Sequence, residues 1–118
     1  MTDITFFSSP TGLGHVSRDI AIAQLIDANS TKFVSGNAAA QFLVDNGFDA
    51  QDLYTPPKFN VSNGKLENPL KWLWNYYNYY KECKKISSSI IEKEKPRIVI
   101  SDEDFASITI AQEKKIPS

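Results

Sequence analysis

Within its first 28 residues the chain passes from an apolar strand pattern through two glycines into a helix pattern, and that alternation recurs to its end. Residues 3–8, with Ile4, Phe6 and Phe7, are expected to form a first strand. Ile20, Ala21, Ala23, Leu25 and Ile26 then predict a helix from about His15 to Ala28. Thr31–Ser35 reads as a second strand. Asn37–Asn46 reads as a helix, with Ala38, Ala39, Phe42 and Leu43 at helical spacing and Gly47 at a common C-terminal cap position. Phe48–Thr55 is expected to hold a short third strand, and Pro56-Pro57 and Asn63-Gly64 mark a polar, mobile loop. One long helix is predicted from about Pro69 to Lys95, with Leu73, Tyr77, Tyr80, Cys83, Ile86 and Ile90 three or four residues apart and Pro96 ending it. Arg97–Ser101 is an apolar strand of the kind buried on both faces, and Phe105–Lys114 a further helix.

Strands joined through helices pack as right-handed crossovers, so the expected fold is α/β, a Rossmann-like, doubly wound parallel sheet, with residues 1–118 forming one domain. Lys115-Ile116-Pro117-Ser118 resembles the start of another strand. The sheet is therefore expected to be incomplete and the chain a piece of something longer.

Composition narrows the class. A net charge of −1 at pH 7 offers nucleic acid no general attraction, so any anion site must be local. The single cysteine, Cys83, rules out an internal disulfide and fits a reducing compartment; its helical, lysine-flanked place reads as incidental packing. The N-terminus has no basic leader pattern and no apolar run reaches membrane-spanning length, so a cytoplasmic location is expected.

Open parallel sheets bind ligands at the carboxyl ends of their strands, where the following helix offers free backbone N–H groups. Gly12, Leu13 and Gly14 occupy such a turn, with His15 and Arg18 one helical turn apart just beyond it. A phosphate-binding loop would need a lysine followed by serine or threonine here, and none is present. A dinucleotide fingerprint would need a third glycine where Ser17 stands and an acid after the second strand, where Val34, Ser35 and Gly36 stand. It remains a weak alternative. The two glycines have a plainer explanation in close packing of helix on strand, and Arg18 in a surface pair with Asp19 or Asp3. A histidine at a helix N-terminus suits a general base or a hydrogen-bond donor to an oxyanion.

Ser101-Asp102-Glu103-Asp104 puts carboxylates at the same edge after the Ile98–Ser101 run. Asp104 reads as the cap of the next helix. If this strand neighbours the first, Asp102 comes near His15, where it could orient the imidazole and stabilise its cation. No metal-ligating cluster is evident.

Gly12-x-Gly14-His15-x-x-Arg18, Phe33-Val34-Ser35-Gly36, Phe42-Leu43-x-x-x-Gly47-Phe48, Ile100-Ser101-Asp102 and Ile116-Pro117 together resemble the N-terminal half of GT-B fold glycosyltransferases. The likeness is to the group that includes the peptidoglycan N-acetylglucosaminyltransferase and the glucuronosyl- and glucosyltransferases, and it covers nearly the whole chain. Lys115 stands where that group usually has glycine. The resemblance implies an acceptor-binding domain of an inverting transferase, with His15 as base, Asp102 as its partner, and Gly12, Leu13, Gly14 and Arg18 contacting substrate. It implies no cofactor and no catalytic metal; the donor would be a nucleoside-diphosphate sugar held by a C-terminal domain, and this chain alone would be inactive. A regulatory or binding subunit of a two-chain transferase, or a nucleotide-binding module, remain as alternatives.

Trp72, Trp74, Tyr76, Tyr77, Tyr79 and Tyr80 wrap around the long helix instead of forming one stripe. Leu73, Tyr77 and Tyr80 are expected in the core, and the others to line an acceptor cleft or to stack on a sugar or lipid. Lys71, Lys81, Lys84 and Lys85 read first as a solvated face; they leave room for peripheral contact with an anionic membrane, as the aromatics do for a homodimer.

Overall fold

Both faces of the first strand are apolar, the mark of a strand covered by helices on each side. The computed structural model describes residues 3–26, 31–56, 61–62, 65–66 and 68–118. In it β1 (Ile4–Ser8) is fully buried and lies centrally between β2 (Thr31–Ser35) and β6 (Ile98–Asp102), parallel to both; β3 (Asp49–Asp52) pairs parallel with β2. The order β3-β2-β1-β6 is a four-stranded, all-parallel sheet. The period of two sorts the side chains. Ile4, Phe6 and Phe33 pack with Val16 and Ile20 of α1 (Gly14–Leu25) and Ala39 and Leu43 of α2 (Asn37–Asp45). Phe7, Val34 and Val99 pack instead with Cys83, Ile90 and Ile91 of α3 (Pro69–Glu94) and Ala106, Ile110 and Ala111 of α4 (Phe105–Glu113). The expected Rossmann-like α/β architecture is what forms.

Several local expectations are corrected. α1 ends at Leu25, with Ile26 already extended, short of the predicted end at Ala28; Asp27 and Ala28 themselves lie outside the described residues, as do Pro57 and Asn63-Gly64. The third strand is shorter than Phe48–Thr55. Within the segment expected to be a loop, β4 (Val61–Ser62) and β5 (Lys65–Leu66) pair antiparallel. β6 is not covered on both faces: it is an edge strand, with Ile98 exposed and Ile100 half-buried. Beyond α4 the chain returns to it, where Val99 N–H donates to Pro117 O at 2.9 Å.

The long helix departs most from its predicted stripe. Twenty-six residues span about 39 Å, whereas a five-residue strand spans about 17 Å. α3 therefore outruns the sheet. Cys83, Ser87, Ile90, Ile91 and Glu94 are buried, but Leu73 and Tyr77, expected in the core, are 56% and 53% exposed. Tyr79 and Tyr80 are the aromatics that pack against the core. Among the described residues no helix is long and apolar enough to cross a membrane.

Candidate functional site

Parallel pairing of β1 with β6 sets Ser8 opposite Asp102, which brings the glycine turn and the acidic turn to the same sheet edge. Ser9 N–H donates to Asp102 O at 3.1 Å, locking the start of the first turn to the end of β6. Gly12 takes a φ of +69°, a backbone conformation that side chains disfavour. Close packing does not explain the glycines: a Cβ added at Gly12 or Gly14 would have no neighbour within 4 Å. Leu13 precedes α1, no side chain caps that helix, and the Ser17 amide and hydroxyl both donate to Leu13 O.

His15 and Arg18 of α1 meet Asp102 of β6 here. His15 Nδ1 lies 3.0 Å from Asp102 Oδ1, and Arg18 Nη2 donates to that same oxygen at 2.6 Å. Arg18 thus pairs with Asp102, in place of the surface pair with Asp19 or Asp3. Its Nη2 is also 3.1 Å from His15 Nδ1, so that nitrogen donates to Asp102 when it carries hydrogen, as in the Nδ1–H neutral tautomer or the cation, and accepts from Arg18 in the other neutral tautomer. His15 Nε2 is held at 2.9 Å by Glu103 Oε2. Glu103 is exposed and takes a φ of +55°, which costs about 1 kcal/mol in a residue other than glycine.

Asp19 is the group that the sequence reading left aside. It is 2% exposed, and the Ser8 hydroxyl donates to its Oδ2 at 2.6 Å. Burial pushes its carboxyl up to about 6, helped by its hydrogen-bonded neighbour Asp102 and opposed by Ser8. Burial also acts to raise Asp102, but hydrogen bonds from Asp19, Arg18 and His15 outweigh it and bring that carboxyl below its ordinary value. A signal for Asp19 existed, since Val16, Asp19 and Ile20 share one buried helix face at spacings of three and four. Because folding raises the Asp19 pKa, its contribution is fully present below pH 3.8 and is lost as pH rises through 6. Asp19→Asn is expected to flatten that decline and to gain on the order of 1–2 kcal/mol at pH 7, read by urea denaturation at pH 4 and pH 7. An equal effect at both pH values would refute it.

Asp104 caps α4 through Ser107 N–H, as expected, and its second oxygen accepts from the buried Tyr54 hydroxyl, which also contacts Ser87. Burial raises the carboxyl of Asp104 despite these bonds. Cys83 is buried and its thiol is pushed up to about 12 by desolvation, so it is inert packing.

A cleft of about 780 Å³ opens at Glu103, the residue that holds His15 Nε2; His15, Asp102, Arg18 and Gly12 to Gly14 are not among the residues that line it. Ser9, Pro10 and Thr11 of the first turn and Asn37 of the second form one side; Trp72, Tyr76 and Tyr79 of the overhanging α3, with Phe105, form the other. Trp72 stacks on Tyr76 at a centroid separation of 5.2 Å, which makes a continuous aromatic wall. Glu103 belongs to both places: it lines the cleft while its carboxylate engages His15. Among the described residues no three His, Cys, Asp or Glu side chains are grouped so as to hold a metal ion. Both nitrogens of the imidazole are already engaged by carboxylates. No protein-family model matches the chain, and comparison with curated proteins likewise finds no match.

Proposed function

We propose that this chain is the acceptor-binding half of an inverting glycosyltransferase, with His15 as the base that activates an acceptor hydroxyl. The observation that carries the reading is the His15–Asp102 pair at the carboxyl edge of a parallel sheet, beside an aromatic-walled cleft. Asp102 accepts from Nδ1–H and so fixes the tautomer that leaves Nε2 free to take a proton. As the acceptor oxygen attacks the anomeric carbon, its proton passes to Nε2. The new C–O bond forms while the bond from that carbon to the departing nucleoside diphosphate breaks on the opposite face. The diphosphate keeps the electron pair. Asp102 stabilises the resulting imidazolium.

The nucleotide sugar belongs to a second domain or chain in this reading, and the cytoplasm is where both would work. In this reading Gly12, Leu13 and Gly14 meet substrate from the first turn although they do not line the cleft, and Arg18 serves through its bond to Asp102. No cation lines the cleft among the described residues, and Glu103 gives it a negative rim. An uncharged acceptor portion with an apolar face fits such a wall.

Glu103 holds Nε2, the atom the hydroxyl must reach, so acceptor entry has to displace it. Glu103→Gln weakens that hold and is expected to lower the acceptor KM severalfold in the complete transferase, or in this chain joined with its donor-binding partner. An unchanged or raised KM removes Glu103 from that role. The reading itself fails if wild-type preparations give no acceptor-dependent release of nucleoside diphosphate from UDP-, GDP- and dTDP-sugars.

A further inference from the structure

Asp102 has two oxygens in different situations. Oδ1 receives Arg18 and faces His15, whereas Oδ2 is buried and no hydroxyl, amide or cationic donor among the described residues reaches it. Its neighbour there is Asp19: the Ser8 hydroxyl that reaches Asp19 belongs to the residue standing opposite Asp102 in the β1–β6 register, which brings both carboxyls under α1 on one face of the sheet. Two ionised carboxylates side by side and away from water repel and have no hydrogen to share, so the arrangement favours a proton on one of them. Arg18 and His15, both from α1, keep Asp102 ionised. Asp19 is deeply buried, receives the Ser8 hydroxyl from β1, feels the charge of Arg18 from its own helix, which is spent on Asp102 Oδ1, and has the like charge of Asp102 from β6 beside it. The proton therefore belongs on Asp19.

We infer that Asp19 is a neutral acid that donates its proton to Asp102 Oδ2, fixing the carboxylate that orients His15. Asp19 is a positioning residue: it does not touch the cleft and acts on His15 through Asp102. Ser8, Asp19, Asp102 and His15 then form one hydrogen-bonded series running from the central strand to the sheet edge. Loss of the Asp19 proton places two carboxylates face to face and frees Asp102 to turn away from the imidazole. The carboxyl of Asp19, raised to about 6 by burial, puts that event near neutrality. Its effect on sugar transfer rests on the function proposed above; the shared proton does not.

The test is NMR of this chain with ¹³Cγ-labelled aspartate and ¹⁵N-labelled histidine from pH 3 to pH 9, for wild type, Asp19→Asn and Asp19→Leu. The Asp19 carboxyl carbon is expected to carry its protonated shift at pH 5 and to titrate near 6, with the Asp102 carbon stepping at the same midpoint. In Asp19→Asn the amide donates in place of the acid, so the Asp102 step vanishes and the His15 Nδ1–H signal at pH 5 is retained. Asp19→Leu, with no donor, loses that signal; if it does not fold, the other two proteins decide the matter. An Asp19 carboxylate already ionised at pH 5, an Asp102 carbon without the shared step, or loss of Nδ1–H in Asp19→Asn overturns the inference. A coupled step in a protein whose complete form transfers no sugar refutes the proposed function and leaves the pair standing.

Discussion

His15→Ala is expected to lower kcat for sugar transfer by roughly 10²–10⁴-fold in the complete transferase, the span that a positioned general base contributes. The fold should survive. The His15 side chain is 26% exposed, packs in neither apolar cluster, and its ion pairs with Asp102 and Glu103 lie near the surface, where such pairs contribute little. The melting temperature is thus expected to move by no more than a few degrees while activity falls by orders of magnitude. Exogenous imidazole should restore part of the loss, because the missing group is a proton acceptor and nothing else. A variant that transfers sugar at the wild-type rate would remove His15 from the base role, and one that fails to fold would show that it anchors the turn.

Gly36→Ala carries the largest expected effect on stability. Gly36 follows β2 with φ at −162°, which any residue adopts, so the constraint is space. A Cβ there would sit 1.8 Å from Tyr54 O and 2.7 Å from Tyr54 C. That backbone cannot give way cheaply. Leu53 and Tyr54 N–H both donate to Ser35 O, and the buried Tyr54 ring is tied by its hydroxyl to Asp104 and Ser87. The substitution is expected to cost about 4 kcal/mol or more, a large part of the stability of a domain this size. Gly14→Ala, whose Cβ would point into open space, should change it by no more than about 0.5 kcal/mol. Urea titrations of both variants decide the point; a Gly36→Ala protein within 1 kcal/mol of wild type would mean that the Tyr54 turn moves freely.

The sheet was legible because its signal is periodic. Ile4, Phe6 and Phe7 announce a strand covered on both faces, and the junctions at Gly12 and Asp102 could be assigned to one edge by topology alone. The approach of His15 to Asp102 was legible only on the condition that the last strand lies beside the first, which the β1–β6 register meets, and no spacing in the chain fixes a 3.0 Å contact. What stayed hidden depends on relative length and on partners distant in sequence. Leu73 and Tyr77 obey the helical period yet face solvent, since nothing in the period tells where the sheet beneath ends. Asp19 looks like a surface acid until Ser8 and Asp102 close over it, and Tyr54 gives no sign of the Asp104 carboxylate fifty residues on. Glu103 was read as one of a run of acids; its left-handed backbone, which turns it toward His15, comes from the tight passage of β6 into α4.

The overhang of α3 makes one side of the cleft a cantilever. Its root is the packed contact from Tyr79 and Tyr80 through Cys83, Ile90 and Ile91, while the wall formed by Trp72 and Tyr76 lies about one to two turns beyond that support. The opposite side, made by the turns after β1 and β2, is bolted to the sheet. A small tilt at the root would be magnified at the free end and would change the width of the cleft against a fixed edge. Such a tilt would fit ligands of different girth without moving His15 or Asp102, neither of which lines the cleft.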